Sequence, residues 1–200
     1  LYAQPRRIHD LHATANRTIG CRGYDHYEDL FMTEESKTKP NITVLGIGNI
    51  LLTDEGFGIR VVEKLQERYE FPDNVLLVDG GVLGINLLGV LADAQHLVVV
   101  DAVKNKQPPG TLYRLEKDEL PERILLKNSL HQTDFLETLT LCQAIDKVPQ
   151  TTVVLGVEPE DILTLSVEMT PTVAARLDDM MDLVIQELNQ LGVTCRERST

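Results

Sequence analysis

Val44-Leu45-Gly46-Ile47-Gly48-Asn49-Ile50-Leu51-Leu52-Thr53-Asp54-Glu55-Gly56-Phe57-Gly58 decides the fold. It reads as a buried strand, a glycine-bearing turn and two adjacent carboxylates where a helix begins. That order places acids at the mouth of an α/β sheet, where such folds do their chemistry. A dinucleotide-binding turn requires glycines without acids, because acids repel pyrophosphate. Gly46-x-Gly48 has no third glycine at Leu51, so the Rossmann fingerprint is absent. The turn suits a metal or acid/base work better than a phosphate.

Working outward, residues 1–39 show no sustained period of two or of 3.6. They carry six basic and six acidic side chains, so the acid excess behind the net charge of -12 falls in residues 40–200. An acidic body excludes nucleic acid and anionic membrane as natural partners. Residues 1–39 read as an N-terminal extension, mostly disordered, with Met32 a plausible native start. His9, His12, Cys21 and His26 fit no standard metal spacing. Residues 40–200 read as one domain with no internal repeat.

From residue 41 the pattern alternates strand and helix. Ile42–Ile47 is a strand and Gly58–Tyr69 an amphipathic helix. Val75–Val78 is a strand that ends in Asp79-Gly80-Gly81, and Leu83–Leu91 is a second helix. His96–Val100 carries the run Leu97-Val98-Val99-Val100, which suits a central strand buried on both faces. Gln107-Pro108-Pro109-Gly110 turns the chain, and Thr111–Leu115 alternates as a strand. That turn is too short for a crossover helix, so the strand is expected antiparallel to its predecessor. Ser129–Ala144 is a helix and Thr152–Val157 another apolar strand. The last helix has Thr170 as its cap, Pro171 in the first position and Gly192 just past its end. The sum is a three-layer α/β/α sandwich around a five-stranded, mostly parallel sheet with one antiparallel strand.

Composition agrees with a soluble globular chain, at 42% hydrophobic and 25% charged. No apolar run approaches the ~20 residues that cross a membrane, and the N-terminus lacks the apolar core of a signal peptide. Three scattered cysteines, 21, 142 and 195, with no Cys-x-x-Cys, point to a reducing cytoplasm and not to a disulfide framework.

Three places gather reactive side chains. Asp54-Glu55 precedes a helix, whose N-terminal partial charge is expected to keep a carboxylate ionised. The plain alternative is that one of the pair is only a cap. Asp101 follows four apolar residues, where a carboxylate needs a partner or a metal; the alternative is a turn-forming Asp. Asp79 has the same form, and its Gly-Gly sequel favours the turn. His131 lies in Ser129-Leu130-His131-Gln132, a capping-box pattern that puts it in a first helical turn and favours the neutral, metal-ligating imidazole. His96, ahead of a buried strand, reads as structural. Two carboxylates and an imidazole suit a borderline divalent metal such as nickel, zinc or iron. No Walker pattern, Gly-x-Ser-x-Gly elbow or His-Glu-x-x-His occurs, and Cys142 lies inside a helix, so activated water is favoured over covalent catalysis.

The blocks Gly46-Ile-Gly48-Asn49 through Asp54-Glu55-Gly56-x-Gly58, Asp79-Gly80-Gly81, Val-Val-Val-Asp101-Ala102, Pro109-Gly110-Thr111 and His131-Gln132 together resemble the nickel–iron hydrogenase maturation endopeptidases of HybD type. The resemblance covers residues 42–192, in order and with matching spacing. It implies an α/β/α fold with one antiparallel strand. It implies an endopeptidase, aspartic-type by family, that removes the C-terminal extension of the hydrogenase large-subunit precursor after nickel insertion. By position, Glu55, Asp101 and His131 resemble the family's metal-contacting and catalytic residues. The nickel is then carried by the substrate and is not a tightly held cofactor. The partner is the large-subunit precursor, and the enzyme is expected to be a cytoplasmic monomer. The alternative from another class is a non-catalytic nickel-binding maturation chaperone on the same scaffold.

Overall fold

Unbroken β-branched runs build the centre of the sheet. A computed structural model describes residues 41–81, 88–116, 140 and 142–198. These all fall within the compact unit Lys39–Thr200. In chain order the elements are β1 (Ile42–Ile47), a 3-10 turn (Thr53–Gly56), α1 (Phe57–Arg68), β2 (Tyr69–Glu70), β3 (Val75–Gly81) and α2 (Leu88–Asp93). Then follow β4 (His96–Ala102), β5 (Leu112–Glu116), β6 (Thr151–Val157), α3 (Pro171–Ala174), α4 (Leu177–Gln190) and β7 (Arg196–Glu197).

The main sheet runs β3-β1-β4-β6-β5. The first four strands are parallel, and β5 is antiparallel to β6. The expected direction of β5 is therefore observed, but its hydrogen-bonded neighbour is β6, inserted between β5 and its predecessor β4. Residues of β1, β4 and β6 are buried almost without interruption, as strands covered on both faces require. The edge strands β3 and β5 are only partly buried.

Period-two alternation sorts the core into two layers. Val44, Val98, Val100, Leu155 and Val157 face one way, where Phe57, Val61 and Leu65 of α1 and Val173, Met180, Val184 and Leu188 of α3 and α4 cover them. Leu45, Ile47, Leu97, Val99 and Val154 face the other way, against Leu91 of α2 and Cys142. Each such burial stabilises by about 1.5–3 kcal/mol relative to exposure.

The C-terminal helix departs from expectation. The sequence pattern predicts one continuous helix from Pro171 onward, yet a turn at Ala175 and Arg176 splits it into α3 and α4. The Arg176 N–H tightens onto the Val173 carbonyl three residues back. The apolar stripe survives the break because Val173, Leu177, Met180, Val184 and Leu188 all stay in the same core. Thr170 occupies the cap position but makes no side-chain cap bond; its hydroxyl donates to the Asp54 carboxylate. Of the expected helix over 83–91, α2 is the described part. Of the expected helix over 129–144, residues 140 and 142–144 are helical and the remainder lies outside the described residues. The small antiparallel ribbon of β2 and β7 has no sequence signal of its own at two residues per strand.

Candidate active site

The carboxyl ends of β1 and β4 lie side by side, because Gly46 of β1 is in register with Val100 of β4. Glu55 sits in the 3-10 turn that follows β1, and that turn packs on β4. Asp101 is the next-to-last residue of β4, opposite Gly156 of β6. Both carboxylates are thus delivered to the same edge of the sheet and are almost fully buried, with exposures of 5% for Glu55 and 6% for Asp101.

Two glycines make this approach possible. A β-carbon on Gly58, in the first turn of α1, would collide with the carbonyl oxygens of Val100 and Ile47. Gly48 has φ +143°, and a β-carbon there would collide with the Glu55 carbonyl oxygen. These glycines serve close packing of helix start on strand ends, in place of phosphate binding.

Asp54 and Glu55, adjacent in sequence, have opposite fates. Asp54 is fully buried. Its Oδ2 accepts the backbone N–H groups of Glu160 and Asp161, each at 2.9 Å. Its Oδ1 accepts the Thr170 N–H at 2.8 Å, and the Thr170 hydroxyl lies 3.0 Å from both oxygens. Asp54 does not cap α1, whose N-cap is Gly56 with no side-chain bond. It pins the segment after β6 to the turn after β1. Each bond to a carboxylate contributes about 1.5–3 kcal/mol when its removal leaves buried groups unpaired.

Glu55 is different in kind. Burial pushes its carboxyl above the ordinary 4.5, and the Lys104 ammonium opposes that shift. Loss of hydration is the larger influence on this carboxyl, ahead of the Lys104 charge that favours its ionised form. A buried acid with a raised pKa at the carboxyl end of a parallel sheet is in an environment that suits proton transfer or metal contact.

Thr53, just before the pair, has φ +42°, a conformation that β-branched residues rarely adopt. Such a residue costs about 1–3 kcal/mol. Two hydrogen bonds offset it: the N–H donates to the Ser166 carbonyl at 2.8 Å and the hydroxyl to the Thr164 carbonyl at 2.6 Å.

Glu158, directly after β6, belongs to no motif in the sequence, and only the fold shows its part. It is 5% exposed. Its carboxylate accepts the N–H groups of Asn105 at 2.6 Å and Lys106 at 3.1 Å, and the Tyr113 hydroxyl. It therefore holds the loop that leaves Asp101. The signal that could have found it is an acid straight after an apolar run, the same form that singles out Asp101.

Asp79 makes the expected turn, accepting the Gly81 N–H at 2.9 Å. His96 is structural as expected: its Nδ1 lies 2.8 Å from the Thr151 hydroxyl, and burial lowers its pKa. Cys142 is fully buried, and desolvation raises its thiol pKa, which leaves it inert. His131 lies outside the described residues. Among the described residues no three His, Cys, Asp or Glu side chains come together to hold a metal, so Glu55 and Asp101 are the described part of the expected trio. No described helix is long and apolar enough to cross a membrane.

Known proteins agree with this geometry. Residues 59–187 match the family model described as hydrogenase maturation protease. The hydrogenase 2 maturation protease of Escherichia coli is 40% identical over 76% of this chain and 93% of its own length. The hydrogenase expression/formation protein HupD of Thiocapsa roseopersicina is 40% identical over 81% of this chain and 74% of its own. The solved structure of the hydrogenase maturating endopeptidase HybD from Escherichia coli superposes with a TM-score of 0.76 at 38% identity, over 79% of this chain and 98% of that one. The sheet, the buried acids at its carboxyl edge and these likenesses converge: the chain belongs to the hydrogenase maturation protease family.

Proposed function

We propose that Glu55, Asp101 and His131 form the centre with which this protease reads the nickel of the hydrogenase large-subunit precursor before cutting off its C-terminal extension. The two carboxylates supply oxygen donors and the imidazole a nitrogen donor, a set that suits nickel. The metal arrives with the substrate. Binding through its open positions fixes the scissile amide beside it, and metal or carboxylate activates a water for attack. An unloaded precursor offers nothing for the three side chains to grip, so loading becomes the condition for cleavage.

One observation carries this reading. Glu55 and Asp101 are both almost fully buried at the carboxyl end of the sheet, and burial raises the Glu55 pKa, an environment that suits groups which meet a metal or move a proton. Residues 40–200 make up the protease domain on this reading, acting as a cytoplasmic monomer. The test is to mix purified protein with nickel-free and nickel-loaded precursor. Loss of C-terminal mass only from the loaded form is expected. Cleavage of the nickel-free form, or of neither, overturns the proposal.

A further inference from the structure

Six large apolar side chains are exposed among the described residues, and four of them belong to two adjoining segments: Leu51 at 55%, Leu163 at 82%, Leu165 at 80% and Val167 at 60%. The two segments are zipped together. The Ser166 N–H donates to the Leu51 carbonyl at 3.0 Å, and the Ser166 carbonyl accepts the Thr53 N–H at 2.8 Å. Leu52 and Ser166 form a parallel bridge. A ridge of apolar side chains therefore stands on a backbone that runs directly into Glu55. Leu52 is three residues from Glu55, no more than about 10 Å of extended chain.

The ridge is held in place before any partner arrives. Asp54 grips both ends of the segment that bears it, at Glu160, Asp161 and Thr170. The Asp161 carboxylate accepts the N–H groups of Leu163 at 2.9 Å and Thr164 at 3.1 Å. Ser166 and Glu168 bond to one another. A solvated loop has no need of this bracing. A surface that must meet a polypeptide does, because ordering completed in advance is not charged against affinity.

Charge indicates what meets it. Residues 158–168 hold four acids, Glu158, Glu160, Asp161 and Glu168, and no base, although the Lys104 ammonium from outside the segment acts on Asp161. Glu158 is turned inward on its own loop, whereas Glu160 and Glu168 are exposed beside the leucines. A second copy of this chain, also strongly acidic, is repelled there.

We propose that the ridge Leu51, Leu163, Leu165 and Val167 is the docking surface for the precursor polypeptide next to its scissile bond, a segment with apolar side chains and neighbouring basic residues. This rests on the peptidase reading above, and it assigns a second contact that does not involve nickel. The apolar side chains supply affinity, and the acidic flank steers and orients.

The test follows C-terminal mass loss against concentration of nickel-loaded precursor, using the full chain. For L163S/L165S the half-saturating concentration is expected to rise by about tenfold or more, with the maximal rate within about threefold of wild type. Far-UV circular dichroism and melting are expected unchanged, because both side chains are already in water. For E160Q/E168Q the salt dependence of half-saturation is expected to weaken. An unchanged half-saturation in L163S/L165S, or a loss confined to maximal rate, overturns the ridge while the peptidase reading stands. So does a wild-type dimer that L163S/L165S converts to monomer. If wild type leaves the precursor uncut yet binds it, and L163S/L165S does not bind, the peptidase reading fails and the docking surface stands.

Discussion

The Asp54 carboxylate takes both the backbone N–H and the hydroxyl of Thr170, a residue 116 positions further along the chain. This link joins the turn after β1 to the start of α3. Thr170 holds the N-cap position of α3 with no side-chain cap bond, so its side chain serves this long-range link. Asp54→Asn puts an amide NH2 against donors that have lost their acceptor. The expected cost is about 3 kcal/mol, or roughly 6–12 °C in melting temperature for a domain of this size. Thr170→Val keeps the backbone donor and is expected to lose only about 1 kcal/mol. Thermal unfolding measures both, and equal losses would remove Asp54 from its central role.

Glu55→Gln and Asp101→Asn preserve shape while removing a negative donor. Each is expected to slow processing of nickel-loaded precursor by about a hundredfold or more, with circular dichroism unchanged. His131→Ala is expected to do the same. Wild-type rates in any of the three would strike that residue from the assignment.

Glu55 also predicts a pH signature of stability that is independent of activity. Its folded-state carboxyl titrates above 4.5 because burial disfavours the charge. The folded state therefore holds the proton more tightly than the unfolded state does. Its destabilising charge is fully present above the folded pKa and disappears as pH falls through that value. Glu55→Gln has no such charge. It is expected to melt no lower than wild type above neutrality, with the gap closing as pH drops toward the ordinary carboxyl value of 4.5. A gap that widens on acidification would mean that the fold stabilises the carboxylate, the opposite of what burial dictates.

Gly48→Ala tests the close approach of the two turns. The new methyl meets the Glu55 carbonyl oxygen in a backbone conformation that alanine avoids. Strain of about 1–3 kcal/mol is expected, together with loss of processing, because the displaced atom belongs to Glu55 itself. Full activity in Gly48→Ala would show that the turn tolerates displacement of Glu55. Thermal melting beside the cleavage assay separates the two effects.

Much of this molecule was legible in the chain itself. Runs such as Leu97-Val98-Val99-Val100 have no polar face to present, so they determine a sheet covered on both sides. Acids placed at the ends of those runs and in the turns that follow them, Asp101 and Glu55, mark its carboxyl end as the place for chemistry. Local pattern sufficed because strand burial and helix starts are short-range properties. Only the tertiary structure showed what Asp54 holds. The resemblance singles out Glu55 and is silent on Asp54, whose part depends on the segment 160–170 arriving from two strands away to be held at both of its ends. The same distant pairing holds Thr53 at its positive φ, ties Thr170 to Asp54, and leaves Leu163 and Leu165 exposed. Those are contacts between residues more than a hundred positions apart, and no window of sequence contains both partners.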